Sequence, residues 1–78
     1  MTFGENLRSI RKQKGITQTD LADRMGVLQK DISRWENGQR TPTLHFLREL
    51  CIVLDISADV LLDIKELNTD SLREEKER

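Results

Sequence analysis

Apolar residues recur at helical spacing along most of the chain. Phe3, Leu7 and Ile10 lie at positions i, i+4 and i+7, which places them on one face of a helix. Residues 2–5, Thr-Phe-Gly-Glu, fit a capping box that would start this helix, and Gly15 would end it. No run alternates cleanly between apolar and polar residues, so the pattern predicts an all-α fold.

Start and stop residues divide the rest of the chain into four further short helices. Small polar residues favour the first turn of a helix, and glycine favours its end. We expect these helices after Thr17, over residues 28–37, after Pro42 and Thr43, and from Ser57 to Leu62. The pattern leaves open whether Ile64 and Leu67 extend the last helix. It predicts a compact five-helix domain over residues 1–67 and a charged C-terminal tail over residues 68–78.

Length and composition limit the class of protein. A chain of 78 residues suits one domain and buries roughly 60–65% of its unfolded surface. Its single cysteine excludes an intramolecular disulfide. The opening, Met-Thr-Phe-Gly-Glu-Asn, lacks a signal-peptide pattern, and the longest apolar run, residues 51–54, is too short to span a membrane. We therefore expect a cytoplasmic protein without a membrane partner.

Charge is unevenly distributed along the chain. Residues 1–48 contain nine Lys/Arg and five Asp/Glu, a net charge of +4, whereas residues 49–78 contain four and nine, a net charge of −5. The basic front indicates that an anion meets this part of the molecule. The overall pI of about 5.8 argues against indiscriminate binding to nucleic acid.

Residues 17–37 form the most informative unit. Two helices of two or three turns are joined by three or four residues around Gly26, and so tight a turn makes the helices cross steeply. Ala22 is small enough to allow that close crossing. Helices this short are not stable alone, so the first and fourth helices must cover them. The shared core is expected to contain Leu21, Met25, Val27, Ile32 and Trp35.

Two stretches, GITQTDLADRMGV and ISRWENGQRTP, together resemble the lambda-repressor/Cro-like helix-turn-helix family, also called the XRE family. The resemblance covers about residues 4–62. It is specific because Arg11 before Gly15, the T-Q-x-x-L-A start, Gly26 and the W-E-N-G end coincide in one chain. It implies a lambda-repressor-like DNA-binding domain with a short C-terminal extension and a helix-turn-helix unit at residues 17–37.

The resemblance gives the third helix a role in reading double-stranded DNA. If Ile32 and Trp35 face inward, helical geometry turns four polar side chains outward. An α-helix fits the major groove, where glutamine can pair with adenine and arginine or lysine with guanine. The family's base-reading positions fall on Gln29, Lys30, Ser33 and Arg34. The alternative is that these are ordinary solvated side chains.

The resemblance also implies positions that contact phosphates or brace the reading helix. Gln18 begins the second helix, where unpaired N–H groups and the helix dipole favour a phosphate. In the family this glutamine also braces the first reader. A second phosphate is expected at Asn37, Gln39, Arg40, Thr41 and the N–H groups of their loop. Trp35 is expected in the core, and Glu36 in a partly buried ion pair with Arg11. Lys12 and Arg24 lie either near the DNA backbone or simply in solvent.

One position departs from the family pattern. Many members carry Ser or Thr before the first reader, where the hydroxyl caps the third helix, but this chain has Leu28. The missing cap costs about 0.5–2 kcal/mol, and Asp31 offsets part of that through the helix dipole. Leu28 is either a tolerated substitution or an exposed contact to a partner or a thymine methyl group.

A single module of this kind makes few DNA contacts, so a symmetric homodimer on a palindromic operator is expected. The candidate dimer residues are apolar side chains behind the reading helix: Ile52, Val60, Ile64, Leu67 and Leu72. Alternatively, they close the core or are singly exposed. The acidic tail is a candidate for limiting non-specific DNA binding.

No catalytic set appears in the sequence. His45 has no ligand partners at metal spacing, and Cys51 lies on an apolar stripe, as expected of a small core residue. We expect no enzyme activity, no metal or other cofactor, and no small-molecule ligand. The sequence favours a DNA-binding transcriptional regulator, a repressor in the first instance. The alternative is a protein-interaction module, such as an antitoxin or co-regulator, built on the same helices.

Overall fold

The computed structural model describes residues 2–64, which form five helices and, within that range, no strand. The predicted all-α fold is therefore confirmed. In chain order, the helices are α1 (Phe3–Gln13), α2 (Gln18–Met25), α3 (Gln29–Glu36), α4 (Leu44–Leu54) and α5 (Ala58–Leu61).

Hydroxyl side chains start four of these helices. The predicted capping box of α1 is present, since the Thr2 hydroxyl accepts the Glu5 N–H at 3.2 Å and the Glu5 carboxylate accepts the Thr2 N–H at 3.0 Å. Three other hydroxyls accept the N–H three residues further along the chain: those of Thr17, Thr43 and Ser57. Because α4 begins at Leu44, Pro42 precedes the helix and does not form part of it.

All five helices end in the same hydrogen-bonded turn, in which a left-handed residue follows the last turn. The left-handed residues are Gly15, Gly26, Gly38, Asp55 and Asp63. At the last of these, the Ile64 N–H donates to the Asp59 carbonyl and the Asp63 N–H donates to the Val60 carbonyl. Ile64 is therefore outside α5, so the helix does not extend through Ile64, a question that the sequence pattern left open. Leu67 lies outside the described residues.

The core lies between the α2–α3 pair and the helices that cover it. α1 packs against α3 and α4 packs against α2, while α5 contacts both α1 and α4. The covering of the short pair by the first and fourth helices is as predicted. The buried apolar residues are Leu7, Ile10, Ile16, Leu21, Ala22, Ile32, Trp35, Leu50, Leu54 and Leu61. Met25 and Val27, also expected in this core, pack against it while half-buried.

Gly4 marks the closest approach between α1 and α3. A Cβ atom built on Gly4 would lie 2.3 Å from the Glu36 carbonyl oxygen and 2.6 Å from that of Trp35. The first turn of α1 therefore rests directly on the backbone of the last turn of α3. This contact fixes the end of α3 from which the next loop departs.

Candidate nucleic-acid interface

α3 presents a polar edge to solvent and an apolar face to the core. Ile32 and Trp35 are buried, as predicted. Gln29 and Lys30 at the start of the helix are exposed, and Ser33 and Arg34 one turn later are half-buried. The four predicted base-reading residues thus share the outward side of one short helix, which a major groove can admit.

Behind this edge lies a buried ionic network centred on Glu36, whose side chain is 0% exposed. Arg11 donates to it twice, from Nε to Oε2 at 2.6 Å and from Nη2 to Oε1 at 3.1 Å. Arg11 also donates from Nη1 to the Ile16 carbonyl at 2.9 Å. The Arg11–Glu36 pair expected from the family resemblance is therefore present in the structure, and it joins α1 to the last turn of α3.

The ionisation of Glu36 follows from these partners. Burial by itself raises the pKa of the carboxyl group. Hydrogen bonds from Arg11, Gln18 and Arg8, together with the charge of Arg11, outweigh burial and hold the pKa of Glu36 below its ordinary value of 4.5. Glu36 is consequently ionised at neutral pH and can only accept hydrogen bonds.

Gln18 connects the buried carboxylate to the first predicted reader. Its Nε2 donates to Glu36 Oε1 at 3.0 Å, which turns its Oε1 toward α3. There it accepts a hydrogen bond from Gln29 Nε2 at 2.6 Å. The amide of Gln29 therefore keeps its oxygen and one N–H available, the two groups that can pair with the edge of an adenine.

Arg8 is a member of the network that the sequence reasoning missed. Its Nε donates to Glu36 Oε1 at 3.2 Å, and its Nη2 donates to Asn37 Oδ1 at 3.3 Å. Asn37 in turn donates from Nδ2 to the Ser33 hydroxyl at 3.3 Å. The available signal was spacing, because Arg8 precedes Arg11 by three residues and so shares its helix face.

The loop after α3 contradicts one expectation. The N–H groups of Gln39 and Arg40 both donate to the Arg34 carbonyl, at 2.9 and 3.3 Å, and that of Gly38 donates to the Trp35 carbonyl. They complete the end of α3, so the prediction that this loop's N–H groups face a phosphate is wrong for these three. The side chains of Gln39, Arg40 and Thr41 are nevertheless exposed and remain candidates.

The start of α2, unlike the loop after α3, has backbone N–H groups that are not used within the described part of the domain. The Thr17 hydroxyl accepts the Asp20 N–H, and the Thr17 carbonyl accepts that of Leu21. Within residues 2–64, the N–H groups of Gln18 and Thr19 have no hydrogen-bond partner, as is usual in the first turn. This end of α2 therefore retains the donors and the dipole that favour a phosphate. Lys12 and Arg24 are exposed.

The start of α3 lacks a side-chain cap, as expected from Leu28. The leucine side chain accepts no hydrogen bond and is 59% exposed. The Asp31 carboxylate accepts the Leu28 N–H at 3.0 Å, which supplies one half of a capping box. Only the hydroxyl half is missing.

Leu28→Ser is expected to raise the free energy of unfolding by about 1 kcal/mol, because serine would complete this capping box and little apolar burial is lost. Urea unfolding of both proteins measures the change. An unchanged midpoint would mean that the first turn of α3 does not need the cap. Weaker DNA binding in the stabilised variant would show that Leu28 contacts the ligand.

Other predicted residues lie elsewhere on the surface. Ile52, Val60 and Ile64 are exposed, whereas Leu67 and Leu72 fall outside the described residues. Val60 and Ile64 line one shallow recess beside α1. Over residues 2–64 there is no group of three potential metal ligands, and no helix long and apolar enough to cross a membrane.

Comparison with known proteins decides the family. A family model described as helix-turn-helix matches residues 7–61. The chain belongs to the XRE-type helix-turn-helix family. The resemblance inferred from the sequence is therefore confirmed, and α2 and α3 are the two helices that name the motif.

Two proteins of Bacillus subtilis (strain 168) are similar in sequence to this XRE-type chain over part of their own length. The uncharacterized HTH-type transcriptional regulator YqaE is 40% identical over 60 residues, which is 77% of this chain and 52% of YqaE. SinR is 38% identical over 64 residues, which is 81% of this chain and 58% of SinR. The chain thus spans little more than half the length of the curated relatives it matches.

Solved XRE-type structures show the same architecture. The P22 c2 repressor, in complex with a synthetic operator, superposes with a TM-score of 0.74 at 35% identity, over 80% of this chain and 94% of the repressor chain. SinR in complex with DNA superposes with a TM-score of 0.71 at 34% identity, over 77% of this chain and 97% of that chain. The fold is therefore that of a lambda-repressor-like DNA-binding domain.

Proposed function

We propose that the chain is a transcriptional repressor that binds double-stranded DNA sequence-specifically, with α3 in the major groove. One observation carries the proposal: the exposed edge of α3 presents Gln29 in an orientation already fixed by Gln18 and the buried Glu36. A side chain held before binding loses less entropy on contact with a base, so a fixed reader favours specific recognition. The two solved structures cited above are both complexes with DNA, and one of them is a repressor bound to an operator.

The proposed contacts fall into two groups. Gln29, Lys30, Ser33 and Arg34 read base edges from the outward side of α3. Phosphates are contacted from both ends of the motif, which fixes the position of α3 in the groove. The phosphate-contacting residues are Gln18, Asn37, Gln39, Arg40 and Thr41.

We propose that the repressor acts as a homodimer on a palindromic operator. A two-fold dimer places two α3 helices about 34 Å apart, one turn of DNA, and doubles the small set of contacts that one domain makes. The exposed side chains of Ile52 on α4, Val60 on α5 and Ile64 just after α5 support an apolar interface.

Selection from random DNA duplexes, followed by footprinting of the enriched sequence, tests the proposal. We expect an enriched inverted repeat whose half-sites are centred about one helical turn apart. Recovery of a single unrepeated site would contradict the dimer. If no sequence is enriched at moderate salt, the protein-interaction alternative replaces the DNA-binding one.

Gln29→Ala is expected to weaken binding to the selected operator by about 1–3 kcal/mol and to relax the preference at one base pair of each half-site. Affinity for the operator and for its single-base variants, measured at fixed salt, gives both quantities. An equal loss on every sequence would show that Gln29 does not read a base.

Arg40→Ala is expected to weaken binding to all duplexes alike and to reduce the salt slope by about one unit, since one phosphate contact is lost. Affinities measured over a range of potassium chloride concentrations provide the slope. The Gln29 variant is the matched control, because it removes a base contact and should leave the slope unchanged. A wild-type slope in the Arg40 variant would remove this residue from the phosphate contacts.

A further inference from the structure

We propose that Arg8 of α1 is a positioning residue that sets the hydrogen-bond polarity of Ser33 through Asn37. The inference rests on the proposed function, because it assigns a specificity role within the same DNA interface. Arg8 reaches Asn37 Oδ1 at 3.3 Å, and Asn37 Nδ2 reaches the Ser33 hydroxyl at 3.3 Å. A residue of the first helix is thereby connected to a base-reading position on the third.

The direction of each hydrogen bond follows from the chemistry of the donors. A guanidinium group has five N–H donors and no acceptor, so Asn37 must turn its Oδ1 toward Arg8. Its Nδ2 then faces Ser33, whose hydroxyl oxygen accepts. The hydroxyl hydrogen of Ser33 is left to point outward, and Ser33 meets the DNA as a donor.

The consequence is a preference among bases. In the major groove, a donor suits the acceptors of guanine N7 and O6, adenine N7 and thymine O4, but not the amino group of cytosine. If the Asn37 amide were turned over, its oxygen would accept the Ser33 hydrogen, and Ser33 would offer the DNA only an acceptor. Arg8 thus selects between two arrangements of the same Ser33 side chain.

Charge alone does not explain the placement of Arg8. Arg11 already pairs with Glu36 through two hydrogen bonds, so Arg8 is a second cation on a neutralised carboxylate. Arg8 is 46% exposed at its side chain, and its planar fork contacts Glu36 from Nε and Asn37 from Nη2 at the same time. Lysine would keep the positive charge but lacks that fork. Substitution of Arg8 by lysine therefore distinguishes the effect of the charge from the effect of the guanidinium geometry.

The test measures base preferences on the operator that the wild-type protein selects. It compares three variants: Arg8→Lys, Ser33→Ala and the double variant. For Arg8→Lys we expect discrimination to fall about fivefold, which corresponds to the net contribution of one hydrogen bond. The loss should occur at the base pair that Ser33→Ala also affects. The preference assigned to Gln29 and the salt slope should not change. The double variant should discriminate no worse than Ser33→Ala alone.

Asn37→Asp provides an independent variant. Aspartate can still accept from Arg8, but its second oxygen also accepts, so Ser33 must donate inward and lose its outward hydrogen. We expect the same base pair to lose its preference. Binding to all duplexes should weaken as well, because Asn37 is also a proposed phosphate contact and a carboxylate repels phosphate. Thermal unfolding of each variant confirms that binding is measured on folded protein.

Two results overturn the inference alone. The first is a wild-type base preference in Arg8→Lys, which would show that only the charge of Arg8 matters. The second is an equal loss of base discrimination at every base pair in Arg8→Lys, which would indicate a general structural role. If the wild-type protein enriches no sequence, the proposed function fails and this inference fails with it.

Discussion

Replacing Glu36 with glutamine is expected to lower the free energy of unfolding by about 3–5 kcal/mol, the usual consequence of leaving a buried charge without its partner. Arg11 is 8% exposed and would keep its positive charge after the substitution. The glutamine amide nitrogen would also face guanidinium donors that need an acceptor. Urea unfolding at pH 7 measures the loss, which is a large fraction of the stability of a domain this small.

The matched control replaces both charges, as Arg11→Met with Glu36→Leu. Apolar residues of similar volume often restore or exceed the stability of a buried ion pair, so most of the loss should be recovered. DNA binding should not recover, since Gln18 loses the partner that orients it. A double variant as unstable as Glu36→Gln would show that the unpaired charge is not the cause.

The same pair predicts an acid dependence. Because the pKa of Glu36 is lowered in the folded protein, its contribution to stability is fully present above the ordinary value of 4.5. The contribution declines as the pH falls below that value and is lost once the folded-state pKa is passed. The stability difference between wild type and Glu36→Gln should therefore narrow below pH 4.5 in urea unfolding at a series of pH values. A constant difference would show that Glu36 does not titrate as proposed.

Gly4→Ala is expected to lower the free energy of unfolding by about 3 kcal/mol, although alanine is the better helix former by about 1 kcal/mol. The added methyl group would lie 2.3 Å from the Glu36 carbonyl oxygen, and neither backbone can yield without moving the end of α3. Thermal and urea unfolding measure the loss. Because the contact positions the start of the loop, DNA affinity should fall as well.

Gln13→Ala is the control for Gly4→Ala, since it makes an alanine substitution at an exposed position of the same helix. Gln13→Ala should change the free energy of unfolding by no more than about 0.5 kcal/mol. A Gly4→Ala protein as stable as this control would mean that α1 and α3 do not approach as closely as described.

Local rules predicted those parts of the fold that depend only on neighbours in the chain. The capping residues Thr2 and Thr17 predict where helices begin, and Gly26 and Gly38 predict where helices end. The left-handed turn residues Asp55 and Asp63 carry no comparable signal, because aspartate adopts that conformation less readily than glycine. For this reason the sequence pattern left open whether Ile64 and Leu67 continue the fifth helix.

The sequence by itself determined the all-α class, the helix-turn-helix unit and the outward side of α3, because helical periodicity and capping act within a few residues. The family resemblance implied the Arg11–Glu36 pair, but the tertiary structure decided the contacts of Gln18 and Arg8 with Glu36 and the need for glycine at position 4. Each depends on segments that are at least 18 residues apart in the chain and that meet only in the folded structure. Hydrogen-bond direction and backbone contact exist only after the helices pack, so no local pattern encodes them.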